Sequence, residues 1–105
     1  MKIFISQPMH GRTLEQIIEE RNKAIEKIRN MLPGKYIEII NNLQVDEICI
    51  ANSKKRPRLW YLGESIKLMS EADYIYFTDN NCMHTSHGCR IEYEIAHEYS
   101  IDILK

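Results

Sequence analysis

The chain has 105 residues and a mass of 12.5 kDa, the size of one domain. Apolar residues make up 44% and charged residues 28%, a globular balance that excludes a disordered chain. Fourteen Lys and Arg against fifteen Asp and Glu leave a formal charge of −1, which argues against attachment to nucleic acid or a membrane surface mainly by net charge, and no apolar run reaches the roughly 18 residues of a membrane span.

Lys2 to Ser6 contains the run Ile3-Phe4-Ile5 without alternation, which predicts a short strand buried on both faces. Ser6-Gln7-Pro8-Met9-His10-Gly11 is a polar turn. A helix follows, with Thr13 as N-cap and Gln16 completing a capping box. Leu14, Ile17, Ile18, Ile25, Ile28 and Leu32 form its apolar stripe, and Glu15, Glu19, Glu20, Lys23, Glu26 and Lys27 its charged face. Glu19 and Lys23 are spaced to pair across one turn. Pro33-Gly34 stops this helix, and Lys35 to Ile40 predicts a second strand closed by Asn41-Asn42. From Leu43 to Pro57 the signal is weak; Val45, Ile48, Cys49 and Ile50 suit a short helix or an irregular packed segment. Arg58 to Ala72 predicts a second long helix with Leu59, Leu62, Ile66 and Met69 at helical spacing. Asp73 to Phe77 predicts a third strand, Thr78 to His87 a long polar loop, Gly88 to Tyr99 a third helix, and Ile101 to Leu104 a terminal strand.

Strands separated by helices imply a single α/β domain with a parallel sheet of about four strands. Ligands in such sheets bind at the carboxyl ends of the strands, near the point where strand order reverses. That rule selects Ser6–Arg12 and Thr78–Gly88 as the site loops. The opening MKIFISQP has no signal-peptide pattern, and three cysteines do not suggest a disulfide framework, so a cytoplasmic protein with reduced thiols is expected.

On a wheel of ~100° per residue, Gly88, Ile91, Ile95 and Tyr99 of the third helix share one arc. Glu92 falls inside that arc, near the helix start, while Arg90, Glu94 and His97 fall opposite. A carboxylate on an apolar face needs stabilisation, which a helix N-terminus and backbone N–H groups supply. A group so placed suits a nucleophile or an anchor for sugar hydroxyls; the plainer alternative is a Glu at the stripe's margin that reaches solvent. Cys82, His84, His87 and Cys89 are zinc-ligand types, but they interleave rather than follow the C-x₂₋₄-C and H-x₃₋₅-H spacing, and a His-rich polar loop is the plainer reading. Lys54-Lys55-Arg56-Pro57-Arg58 reads as a solvated loop; the functional alternatives are a phosphate-attracting cover or a weak nucleic-acid contact, and no interleaved aromatic supports the latter. Trp60 and Tyr61 read as packing residues, and the Ser6–Gly11 turn lacks both G-x-G-x-x-G and a P-loop lysine.

Three blocks taken in order, KIFISQPMxG at the start, LWYLGESIKLMSEAD before the third strand and GCRIEYEIA at the third helix, resemble the nucleoside 2-deoxyribosyltransferase-like superfamily. The likeness covers most of the chain and is closest to small phage and bacterial members. It implies a flavodoxin-like (Rossmann-like) three-layer sandwich and a catalytic Glu at Glu92, ionised at rest, that attacks the anomeric carbon of a nucleoside or nucleotide and expels the base. A second base resolves the intermediate in a transferase, and water in a hydrolase. Where the transferases and related hydrolases carry an Asp before the third strand, this chain has Ser65. Six residues before the nucleophile the transferases have Asp and the 5′-phosphate N-hydrolases Ser; here it is Ser86, which leans towards a phosphorylated ligand with Arg12 or Arg90 as partner. The expected binding residues are Ser6, Gln7, Pro8, Met9, Gly11, Arg12, Ser65, Asp79, Ser86 and Gly88, with Asp79, His84 and His87 as candidate general acids. The resemblance implies no cofactor or metal, and a homodimer or higher homo-oligomer. The alternative function on the same scaffold is a binding protein that holds a nucleotide signal without turnover.

Overall fold

A computed structural model describes residues 1–43, 50–79 and 86–105. The elements are β1 (Lys2–Ser6), α1 (Leu14–Met31), β2 (Glu38–Ile39), α2 (Pro57–Met69), β3 (Tyr74–Phe77), α3 (His87–Glu98) and β4 (Asp102–Ile103). The four strands make one all-parallel sheet in the order β2-β1-β3-β4. This is a flavodoxin-like, Rossmann-like order, and strand order reverses between β1 and β3.

Centrality explains the composition of β1. It pairs with β2 on one side and along its upper length with β3 on the other, from Ile3↔Tyr74 to Ser6↔Phe77. Ile3, Phe4 and Ile5 are fully buried, as a strand covered on both faces requires. Alternate side chains enter two cores. Ile3, Ile5 and Tyr76 pack with Ala24 and Ile28 of α1. Phe4, Ile75 and Phe77 pack with Met69 of α2 and with Cys89 and Ala96 of α3. The sheet is therefore the middle layer, with α1 on one face and α2 and α3 on the other.

The first helix starts where expected. Thr13 Oγ1 accepts from Gln16 N at 3.1 Å and the Gln16 side chain accepts from Thr13 N at 2.9 Å, the full capping box. Gly34 has φ +76°, a left-handed conformation open to glycine, and it follows the helix end at Met31. The inward stripe is narrower than the sequence suggests. Ile17, Arg21, Ala24 and Ile28 are buried, whereas Leu14 and Ile18 are each 43% exposed on its flank. The Glu19–Lys23 pair forms, at 3.3 Å.

Other boundaries shift for local reasons. The second helix takes Pro57 into its first turn, where a missing N–H costs little, and ends at Met69 rather than Ala72. Ser70, Glu71 and Ala72 then make tighter bonds to the carbonyls three residues back. Leu59 is exposed rather than in the stripe; Ser65 and Met69 are the buried positions. The edge strands are short: two residues of the expected Lys35–Ile40 pair in β2, and two of the expected Ile101–Leu104 pair in β4. Short edges present few open backbone groups to other chains. Residues 50–52 are helical with Ala51 buried, while Val45, Ile48 and Cys49 lie outside the described residues. The third helix is turned by roughly a quarter revolution, at ~100° per residue, from the expected arc. Cys89, Glu92 and Ala96 face inward, and Tyr99 is exposed because Ile91 and Ile95 only flank the contact.

Truncation of Phe4 to Ala should cost about 3–5 kcal/mol of stability. Thr13→Ala should cost about 1 kcal/mol through loss of the cap. Urea unfolding of the two variants measures both, and the larger loss must fall on the central strand.

Candidate active site

The reversal of strand order places the loops after β1 and β3 side by side at the carboxyl edge. Thr78 N donates to Ser6 O at 3.1 Å, which carries the β1–β3 ladder to that edge. Ser6 has the parity of Phe4, so its side chain points to the α2/α3 face. There its hydroxyl donates to Glu92 Oε1 at 3.1 Å. Glu92 is 7% exposed and Ser6 1%. Two residues 86 apart in sequence thus meet inside the fold.

Glu92 is turned inward, as the wheel suggests, but its charge state differs from the expected one. Burial pushes its carboxyl up to about 8, the nearby Cys89 adds to the rise, and the Ser6 hydroxyl pulls it down. The expectation of an ionised carboxylate at rest is therefore corrected. The helix dipole acts within the first turn, whereas Glu92 is the sixth residue of α3, so desolvation outweighs it. At neutral pH the protonated form of the carboxyl is therefore the favoured one.

Ser86 is the N-cap of α3 and its hydroxyl oxygen accepts from Cys89 N at 3.4 Å. Gly88 lies in the first turn of the same helix and is half-buried. Ser86, Gly88 and Glu92 thus come from the first half of one helix, and Glu92 reaches the end of β1. Gln7 is buried and its amide donates to Ile17 O at 3.1 Å, which ties the β1 turn to α1. Pro8 and Met9 are half-buried; Gly11 is exposed with φ +77° and Arg12 N bonds back to Met9 O at 3.3 Å. Asp79 is exposed in the loop after β3. Ser65 is buried on α2, so a serine occupies an enclosed position where the resemblance expects a carboxylate. Arg90 is exposed, as the wheel suggests.

Arg12 does not stand ready for a ligand phosphate. Its Nη1 is bonded to Glu20 Oε2, and Glu20 Oε1 accepts from Thr78 Oγ1 at 2.7 Å. Glu20, expected on the solvated face of α1, instead bridges the loops after β1 and β3. Sequence reasoning missed Glu20 and Thr78, because the parity that turns Thr78 towards α1 is legible only once β3 has its register. It also missed Arg21, which reads as one more polar residue of α1. Arg21 is 9% exposed and its Nη2 donates to Ile40 O at 2.8 Å. Burial lowers its pKa, and Tyr61 opposes that shift. Asn42 Nδ2 donates to Ile5 O at 3.0 Å, and the Tyr61 hydroxyl donates to Asn42 O. Together these bonds tie off the ends of β1 and β2.

The basic loop is a solvated one: Lys54, Lys55 and Arg56 are exposed, and Lys54 lies 5.7 Å from the half-buried Trp60 ring. Cys82 and His84 lie outside the described residues, His87 is exposed and Cys89 buried. Among the described residues no three His, Cys, Asp or Glu side chains group as a metal site, and no helix is long and apolar enough to cross a membrane. Comparison of the chain with protein-family models, curated proteins and solved structures gives no match.

The raised carboxyl has a thermodynamic signature. The folded state holds a proton on Glu92 between pH 4.5 and about 8 that the unfolded chain releases. The group therefore costs folding nothing below pH 4.5, and its penalty grows as pH rises and levels off above about 8. Glu92→Gln should remove a penalty on the order of a few kcal/mol at pH 8. The variant should melt above wild type at pH 8, with the gap closing towards pH 5 in a series of thermal melts.

Proposed function

We propose that the chain is a small member of the nucleoside 2-deoxyribosyltransferase-like superfamily that cleaves the N-glycosidic bond of a (deoxy)nucleoside 5′-phosphate. The observation that carries this reading is the enclosed Glu92 carboxyl, 3.1 Å from the Ser6 hydroxyl at the carboxyl end of the central strand. It lies beside the point where sheets of this order take their ligands. A desolvated carboxylate is a stronger nucleophile than a hydrated one, and the Ser6 hydroxyl supports its charged form.

In the proposed reaction Glu92 loses its proton and an oxygen attacks the anomeric carbon. The carbon–nitrogen bond breaks, and its electron pair leaves with the base, which is protonated as it departs. The glycosyl ester on Glu92 then yields to water (hydrolysis) or to a second base (transfer), which restores the carboxyl. Asp79 and His87 are the described candidates for the acid, by loop and helix-start position. The reaction requires no cofactor.

A second reading has its own support. Glu92 is largely protonated at neutral pH and Ser65 stands where an Asp is expected, both of which favour a protein that binds a nucleotide without turning it over. The homo-oligomer belongs to the same proposal. A four-stranded sheet with two-residue edge strands leaves edges and helix faces for a second copy to cover.

Incubation with a panel of nucleosides and nucleotides, read by chromatography for free base, separates these readings. Wild type should release base at a rate that climbs with pH through about 8, as the carboxyl ionises. Glu92→Gln should lose that release by roughly 10³-fold or more. Binding by both proteins with release from neither establishes the binding reading instead. Sedimentation should show a dimer or larger assembly, and a monomer at high concentration removes the oligomer from the proposal.

A further inference from the structure

The contact that occupies Arg12 has the form of a ligand complex. Glu20 presents two carboxylate oxygens, and each meets a donor from a different loop. Arg12 Nη1, on the loop after β1, takes one; Thr78 Oγ1, directly after β3, takes the other at 2.7 Å. A carboxylate and a phosphoryl group accept such paired donors in the same way, and Arg binds both with its forked N–H groups. The charges in the cavity beside this contact also cancel. A space of about 420 Å³ is lined by Gly11, Arg12, Gln16 and Glu20, one cation and one anion. The Arg12 and Glu20 side chains are 32% and 29% exposed, so solvent reaches the pair and opening it is inexpensive.

We propose that Arg12 and Thr78 form a binding site for a phosphoryl oxyanion, and that Glu20 is an internal competitor that fills this site and must swing aside for the ligand to enter. Arg12 alone is an obvious phosphate partner in the sequence; the new elements are the Thr78 donor and the Glu20 gate. The Glu20 side chain has a place to go, since the cavity it lines opens to solvent. Its departure leaves Arg12 with an uncancelled charge, which is what an incoming dianion requires. Glu20 then sets specificity. A ligand without a phosphate gains nothing by displacing it, and a ligand with one must outbid a tethered carboxylate. The inference rests on the proposed reading only for the nucleotide that delivers the phosphate; the oxyanion site stands on Arg12, Thr78 and Glu20.

Inorganic phosphate is the direct probe, with a nucleoside and its 5′-monophosphate run beside it in thermal melts. If Glu20 closes the site nine-tenths of the time, Glu20→Gln should lower the half-saturating phosphate concentration by about tenfold. The nucleoside monophosphate should gain by a similar factor relative to the nucleoside. Arg12→Gln should abolish the gain when added to Glu20→Gln, and Thr78→Val should reduce it. Glu20→Asp, whose shorter side chain cannot span both donors, should act in the same direction as Glu20→Gln and covers the case in which the amide variant folds poorly. Unchanged or weaker phosphate binding in both Glu20 variants overturns the proposal and leaves Glu20 as a strut between the loops. A phosphate gain without any nucleoside response or base release keeps the oxyanion site and removes the glycosidic reading instead.

Discussion

The rest of the site depends on one contact, the Glu92 carboxyl enclosed against the Ser6 hydroxyl at the end of β1. Burying a carboxyl is unfavourable, and the fold meets the cost by keeping it mostly protonated rather than by pairing it with a cation. Two effects compete there. The N-terminus of α3 favours the charged form, but its influence fades beyond the first turn, and Glu92 lies past it. Desolvation acts at full strength because α3 packs directly on the core of Phe4, Phe77 and Met69. The outcome is a buried carboxyl that keeps its proton well above the usual carboxylate range.

The polar network around that contact divides by strand parity. On the α2/α3 face lie Ser6 and Glu92. On the α1 face, Thr78 turns to Glu20, which holds Arg12. Between them runs the carboxyl edge of β1 and β3, whose hydrogen bonding extends to Thr78 N and Ser6 O. Arg21, Asn42 and Tyr61 fasten the ends of β1 and β2 nearby, each through a backbone carbonyl. These three side chains are fixed to the backbone and brace the end of the sheet beside the Ser6–Glu92 and Glu20–Thr78 contacts.

Much of the architecture was legible in the chain because it is local. The run Ile3-Phe4-Ile5 announces a strand covered on both sides, and Thr13 with Gln16 announces a helix start; both depend on a few consecutive residues. Alternation of helices and strands then implies the parallel sheet. What resisted reading was set by neighbours far along the chain. The rotation of α3, which buries Cys89 and Ala96 and exposes Tyr99, follows from how that helix settles on Phe4 and Phe77, and wheel periodicity alone misplaces it by roughly a quarter turn. The exposure of Leu14 and Ile18 likewise follows from where α1 crosses the sheet.

By itself the sequence determined the α/β class, the order of elements and a first strand covered on both faces, and it marked Glu92 as a carboxyl within an apolar arc, since each follows from periodicity, capping and turn chemistry within a dozen residues. Only the tertiary structure decided the charge of that carboxyl, its Ser6 partner and the diversion of Arg12 to Glu20. The reason is physical. A pKa depends on the solvent a group has lost and on the charges it has gained, and a hydrogen bond depends on which strands lie side by side. Those quantities come into being when residues 58 or 86 positions apart are brought together, as Glu20 with Thr78 and Ser6 with Glu92 are here.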